Sequence, residues 1–196
     1  MKPVQWGVLS TAKIGREHVI PAMQQGQLCE IQAIASRDPI KARESAELLD
    51  IPKSYGSYEE LLNNSDIEAI YNPLPNHMHV PWSIKAAEAG KHVLCEKPIE
   101  VDIDAANEMV EVSQQSDKQF MVAHVLPFFP EFNYALKTVQ SGKYGDLLGA
   151  HFRRLTSQPS ARSAETIIKS GAPGIDLHIH DTHFIQVLGG MPDAVF

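Results

Sequence analysis

Cysteine is scarce in this chain, with two residues, Cys29 and Cys95, among 196. Two thiols cannot build a disulfide framework or a four-cysteine zinc site, so a reducing compartment fits and the expected localisation is cytoplasmic. Clustered positive charge is missing as well. The formal net charge is −7 and no run of Lys or Arg exceeds Arg153-Arg154. Nucleic acid and anionic membranes are excluded as partners on this ground, because both need concentrated positive charge. No apolar run reaches the roughly 18 residues of a membrane span, and the start, MKPVQWGVLS, lacks the apolar stretch of a signal peptide. Internal repeats, low-complexity tracts, a G-x-S-x-G nucleophile elbow, a P-loop and a C-x-x-C pair are all absent.

What is present is enough apolar material for a core, at 43% hydrophobic against 21% charged residues. Short β-rich runs alternate with longer helical patterns. The runs at 4–10, 30–36, 67–72, 92–95 and 119–125 read as strands, and 13–26, 38–50, 57–64, 79–90 and 102–116 read as helices. Asp102 is placed to cap the last of these. Strands that are almost continuously apolar, alternating with helices, predict a parallel sheet covered on both faces. Residues 1–125 therefore read as an α/β, doubly wound Rossmann domain.

Residues 126–196 break the alternation and read as the beginning of an α+β second domain. A helix is expected over 128–142, a strand over 147–157, helix pieces in ETIIKSG and THFIQVLGG, and the first residues of a strand in MPDAVF. A strand needs partners. The second unit thus reads as incomplete, stopping before its sheet is built.

The first strand delivers Ser10-Thr11-Ala12-Lys13-Ile14-Gly15 to the start of a helix. A dinucleotide turn asks for small residues at three positions, here Ser10, Ala12 and Gly15, so that a pyrophosphate can rest on helix N-terminal amides. Small residues at a strand–helix junction are also common in any α/β protein. The second strand ends in Ser36-Arg37-Asp38. An acidic residue there reads the ribose 2′-hydroxyl of NAD, whereas an arginine accommodates the 2′-phosphate of NADP. Asp38 can equally cap the following helix. The balance points to NADP, with NAD still open.

The segment YNPLPNHMHVPWSIKAAEAGKHVLCEKPI (71–99) closely resembles the Gfo/Idh/MocA family, named for glucose–fructose oxidoreductase and inositol dehydrogenase. Strand, proline- and asparagine-bearing loop, helix, strand and the triplet Glu96-Lys97-Pro98 occur in the family's order. The resemblance runs along the whole chain but covers the front portion of a family member. It implies an NAD(P)-dependent oxidoreductase that moves a hydride between nicotinamide and a carbinol or carbonyl carbon of a sugar, polyol or related small molecule. The cofactor cannot move the accompanying proton, and the resemblance assigns that role to Lys97, with Glu96 and Pro98 shaping its turn. It places Pro73, Asn76 and His77 in the cofactor loop, and it implies a homo-oligomer for a full-length relative.

The stretch GIDLHIHDTHF (174–184) resembles the family's Asp-x-x-x-His-x-x-Asp segment, with Asp176 and His180 at its first two positions. Four residues apart on a helix, they share a face. The resemblance makes His180 a general acid/base and Asp176 the residue that orients substrate or relay. His183 stands where the family often has Asp. Two other readings stay open: a dinucleotide-binding protein without catalysis, or inactive remnant, and a metal-dependent hydrolase using His178, His180 and His183.

Overall fold

The computed structural model describes residues 2–100, 102–153 and 172–194, with side chains of its last helix described from His178 onward. The chain forms two compact units, Met1–Ala123 and His124–Phe196.

The first unit is built on six parallel strands: β1 (Val4–Leu9), β2 (Cys29–Ala35), β3 (Lys53–Tyr55), β4 (Ala69–Asn72), β5 (His92–Cys95) and β6 (Phe120–Val122). Their order across the sheet is β3-β2-β1-β4-β5-β6. The chain winds outward from β1 to β3, then returns to lay β4 on the other side of β1. That reversal opens a crevice at the carboxyl ends of β1 and β4, where doubly wound folds bind ligands.

Neighbouring residues on a strand point to opposite faces, and here both faces are apolar. Leu9, Ala35 and Ile70 join one core with Tyr58, Leu61, Leu62 and Ala86. Their strand neighbours Val8, Ile34 and Tyr71 join the other, with Ile20, Ala46 and Ile51. Gly7 sets the spacing on the first side. A Cβ there would lie 2.6 Å from Leu61 Cδ2 and 3.2 Å from both Ile67 Cγ2 and Ile70 Cδ1. The missing side chain is what lets the Leu61 helix close onto β1.

The helices are α1 (Ile20–Gln24), α2 (Pro39–Leu48), α3 (Tyr58–Leu62), α4 (His79–Glu88) and α5 (Ile103–Gln115). One π turn, Gly15–Val19, carries the chain into α1, so the helix expected over 13–26 is wound more loosely in its middle and ends at Gln24. Asp38, Ser57 and Asp102 cap α2, α3 and α5, each side-chain oxygen accepting from backbone amides of the first turn. The strand expected over 119–125 is shorter, and Leu126–Phe128 turns away as a 3-10 segment with Pro127 at its centre.

In the second unit, α6 (Pro130–Gln140) and α7 (Ala172–Gly189) pack through aromatic rings. Buried Phe184 meets Phe132 edge-on with ring centroids 4.9 Å apart, and Phe152 at 6.0 Å. The strand expected over 147–157 is not formed in its described part. Residues 147–153 have no strand partner among the described residues, and Leu148 is 98% exposed. Residues 191–194 likewise form no strand, and the helix piece expected in ETIIKSG lies outside the described residues. Among the described residues, no helix is long and apolar enough to cross a membrane.

Candidate functional site

The turn after β1 is shaped by its backbone. Ser10 has φ of 80°, in the left-handed region that glycine occupies without cost. Its amide donates to the Ala35 carbonyl at 2.8 Å, and its Oγ accepts from the Ala12 amide at 3.2 Å. Arg16 closes the turn from the helix side, its Nε donating to the Thr11 carbonyl at 2.9 Å. At Gly15 an added Cβ would meet Tyr71 Cε1 at 3.5 Å and Pro73 Cγ at 3.7 Å, ordinary contact distances, so the helix start lies against β4 with room for a small side chain.

A cavity of about 720 Å³ opens at the carboxyl ends of β1 and β2. Ser10, Thr11 and Ala12 form one wall, Ser36, Arg37 and Asp38 another, and Pro73 with Leu74 and Pro75 a third. Lys41 and Tyr58 also line it, and neither was singled out from the sequence. Asp38 is committed to α2, its Oδ1 accepting from the amides of Ile40 at 3.0 Å and Lys41 at 3.3 Å. Lys41 Nζ stands 3.7 Å from Asp38 Oδ2. Burial raises the Tyr58 phenol above its ordinary pKa, while the Arg37 guanidinium, charged and hydrogen-bonded to it, pulls the other way. Tyr58 is itself braced edge-on by Trp82 at 4.8 Å between centroids.

Lys13 and Ile14 point outward from the start of the helix, and Lys13 pairs with Glu17 at 3.7 Å. Asn76, His77, Glu96 and Lys97 lie apart from this cavity's walls, at the ends of β4 and β5. There the two strand ends are tied together. Glu96 Oε1 accepts from the Tyr71 hydroxyl at 2.8 Å and its Oε2 from the Lys97 amide at 3.3 Å. Asn72, fully buried, donates through Nδ2 to the His79 carbonyl and the Ser83 hydroxyl and accepts from the Leu74 amide. Lys97 is half-buried and joins Pro98 through a cis peptide bond. Glu96 thus shapes the turn that presents Lys97, through a tyrosine not foreseen from the sequence.

In the second unit, His180 and His183 are half-buried on α7 and His178 is exposed. The His183 ring stacks on His124 at 4.1 Å between centroids and 8° between planes. Burial lowers the His183 pKa below its ordinary value. His178 Nδ1 lies 3.7 Å from Asp181 Oδ2. Asp176 falls one turn before His180 in α7, but its side chain lies outside the described residues. Among the described residues, no group of three or more His, Cys, Asp or Glu side chains is placed to hold a metal ion, the histidines of α7 included.

Residues 4–124 match the profile of the Gfo/Idh/MocA oxidoreductase family, described as having an NAD-binding Rossmann fold. The chain belongs to this family. Among Gfo/Idh/MocA relatives, an uncharacterised oxidoreductase of Rhizobium meliloti is 38% identical over 100% of this chain and 59% of its own. A D-xylose 1-dehydrogenase (NADP+) of Haloferax volcanii is 41% identical over 70% of this chain and 42% of its own. A 3-ketoreductase of Actinomadura kijaniata, solved with NADP and TDP-benzene, superposes with a TM-score of 0.81 at 25% identity, covering 96% of this chain and 58% of that one. The chain spans about half the length of the relatives it matches.

The cavity residues missed from the sequence were hidden for identifiable reasons. Lys41 stands one helical turn after Asp38, where a charged residue reads as a solvated helix face. Tyr58 opens a short polar helix, SYEELL, and only the fold of β2 against α3 turns it toward Arg37.

Proposed function

We propose that this chain is the cofactor-binding portion of an NADP-dependent oxidoreductase that acts on CH–OH or carbonyl groups of sugars, polyols or related small molecules. The observation that carries the reading is the cavity at the carboxyl ends of β1 and β2, which joins the phosphate-binding turn to Arg37 and Lys41. The residues present fit a dinucleotide. A left-handed Ser10 opens the turn without a bulky side chain. The residues Ser10 to Gly15 would hold the pyrophosphate, with Pro73 and the Asn76–His77 segment forming the loop beyond it. Arg37 and Lys41 would hold a 2′-phosphate by charge-assisted hydrogen bonds. Asp38 already satisfies two helix amides, which leaves it less free to select a ribose hydroxyl. These features favour NADP over NAD.

When bound, the dinucleotide supplies the hydride acceptor or donor. The protein's part is to position groups and move protons. Lys97, held by the Glu96 turn, donates or accepts a proton at Nζ as the substrate oxygen changes charge. His180 serves as the acid/base of the second unit, with Asp176 orienting substrate. The name of the Haloferax volcanii relative, a D-xylose dehydrogenase, supports a sugar-like substrate.

The experiment is a fluorescence titration of the folded chain with NADPH and NADH. Saturable binding with NADPH the tighter ligand supports the reading. A folded chain that binds neither nucleotide refutes it.

A further inference from the structure

His79 opens α4 and is 1% exposed. Its ring reaches two backbone carbonyls on different loops, Nδ1 to Pro98 at 2.7 Å and Nε2 to Leu74 at 2.6 Å. Leu74 lines the cofactor cavity, and Pro98 follows Lys97. A carbonyl oxygen accepts and never donates, and a neutral imidazole carries one N–H. In a neutral ring, one nitrogen lone pair would therefore face a carbonyl oxygen at hydrogen-bond distance. Both contacts are also shorter than the ~2.9–3.0 Å usual for neutral N–H···O bonds, one at the lower end of the ~2.7–2.9 Å of charge-assisted ones and the other just below it.

We propose that His79 is a buried imidazolium and a positioning residue: it carries a proton on each ring nitrogen at neutral pH and, through them, ties the loop after β4 to the turn that presents Lys97.

The charged groups facing the ring are Glu96, at the end of β5, and Glu100, in the loop beyond it, and both favour the cation. Asn72, packed against the same helix turn, is neutral and takes the His79 backbone carbonyl rather than the ring. Burial acts against the charge and is the largest single influence, pulling the imidazole below its ordinary pKa. The geometry of the two carbonyls argues against burial. Deprotonation would turn a ring-nitrogen lone pair onto a carbonyl oxygen 2.6 or 2.7 Å away, two acceptors with no proton between them, and buried polar groups are rarely left in that condition. The tie to Lys97 rests on the role proposed above for that lysine, whereas the charge on His79 does not.

The test is nitrogen-15 NMR of the full chain with ring-labelled histidine at pH 7. His79 is assigned through its contacts with Leu74 and Pro98. The expected signature is two N–H protons on one imidazole, both slow to exchange with water. One N–H beside a bare ring nitrogen overturns the proposal.

Denaturation of wild type and His79→Gln across pH 5–9 is the second measurement. A histidine whose folded pKa lies above the unfolded value of about 6.5 contributes stability that is complete below that pH and is lost as pH rises through the folded pKa. The wild type's advantage should therefore shrink above about pH 6.5, by up to about tenfold in unfolding constant per pH unit. An advantage that instead grows between pH 5 and 7 means a neutral ring and overturns the proposal. Should His79→Gln fail to fold, the wild-type spectrum still decides. NADPH binding with a neutral His79 sinks this inference alone, and an imidazolium in a chain that ignores dinucleotides sinks only the proposed function.

Discussion

Replacing Arg37 by Ala tests the cofactor assignment most directly. The side chain is exposed at the lip of the cavity, yet it is not loose, because it meets the hydroxyl of buried Tyr58. A guanidinium held in place in this way loses little conformational freedom on taking up a phosphate. A hydrogen bond to a charged group contributes about 1.5–3 kcal/mol, so the variant should bind NADPH roughly 10- to 150-fold more weakly. NADH offers no 2′-phosphate, and its affinity should stay within about threefold. Lys41→Ala should cost less. Lys41 is exposed and already shares its charge with Asp38 at 3.7 Å, so an effect of about 0.5–1 kcal/mol, or two- to fivefold, is expected on NADPH. Salt supplies an internal control. The Debye length falls from about 10 Å at 0.1 M to about 3 Å at 1 M, so the wild-type preference for NADPH should narrow as salt rises. Parallel fluorescence titrations with both nucleotides read all of this. Equal weakening of NADPH and NADH by Arg37→Ala would refute the reasoning, since it would make Arg37 a support of the cavity and not a reader of phosphate.

Other expectations concern separate parts of the molecule. Gly7→Ala forces a methyl to 2.6 Å from Leu61 Cδ2 inside a closed core, and should cost about 1–3 kcal/mol in urea denaturation with an unchanged slope. Cys95 is fully buried and its thiol is pushed up to about 12, so roughly one molecule in ten thousand carries its thiolate at pH 8. A thiol reagent should therefore spare Cys95 in the folded chain at pH 8 and modify it in denaturant, with reactivity climbing as pH rises toward 12. Lys97→Ala should lower hydride transfer with a sugar or polyol substrate by about 10²- to 10⁴-fold, the usual worth of a positioned acid/base. Hydride transfer unchanged in Lys97→Ala would mean that the lysine has no chemical part in it.

The first unit was legible from the sequence because two signals agreed there. Apolar runs such as VQWGVL and EIQAIA mark strands buried on both faces, and Asp38, Ser57 and Asp102 mark the helix starts that follow. The exception, β3, fails on both counts. Lys53-Ser54-Tyr55 is three residues long and polar, and it becomes a strand only because β2 offers it an open edge. The opposite case is 147–153, the described part of a strand expected over 147–157, where a good strand pattern has no partner among the described residues. Pattern alone cannot supply a neighbour. The same limit applies to the site. Lys97 and the turn at Ser10 stand out in the sequence because a local motif carries them, while Lys41, Tyr58 and Tyr71 are brought in by helices and strands distant in sequence.

The turn after β1 shows what a motif encodes physically. By residue type it matches the dinucleotide fingerprint poorly, with Ser and Ala at the first two small positions and glycine only at the third. By backbone it matches closely. Ser10 takes φ of 80°, the conformation for which the fingerprint's first glycine is selected, at a cost of order 1–3 kcal/mol for a residue with a Cβ. The amide of Ser10 is fixed by Ala35 on β2, and its hydroxyl meets the Ala12 amide, so strand pairing and a local side-chain bond together hold the strained residue in place. The cost also limits what can stand there. A β-branched side chain at this position would add its own strain to the left-handed backbone and intrude on the space of the pyrophosphate. Ser10→Val should therefore lower both stability and NADPH affinity, whereas Ser10→Gly should preserve the turn and leave affinity within a few-fold of wild type. If Ser10→Val bound NADPH as tightly as the wild type, the left-handed backbone at Ser10 would have no bearing on the cofactor, and the phosphate would have to be sought elsewhere along the cavity.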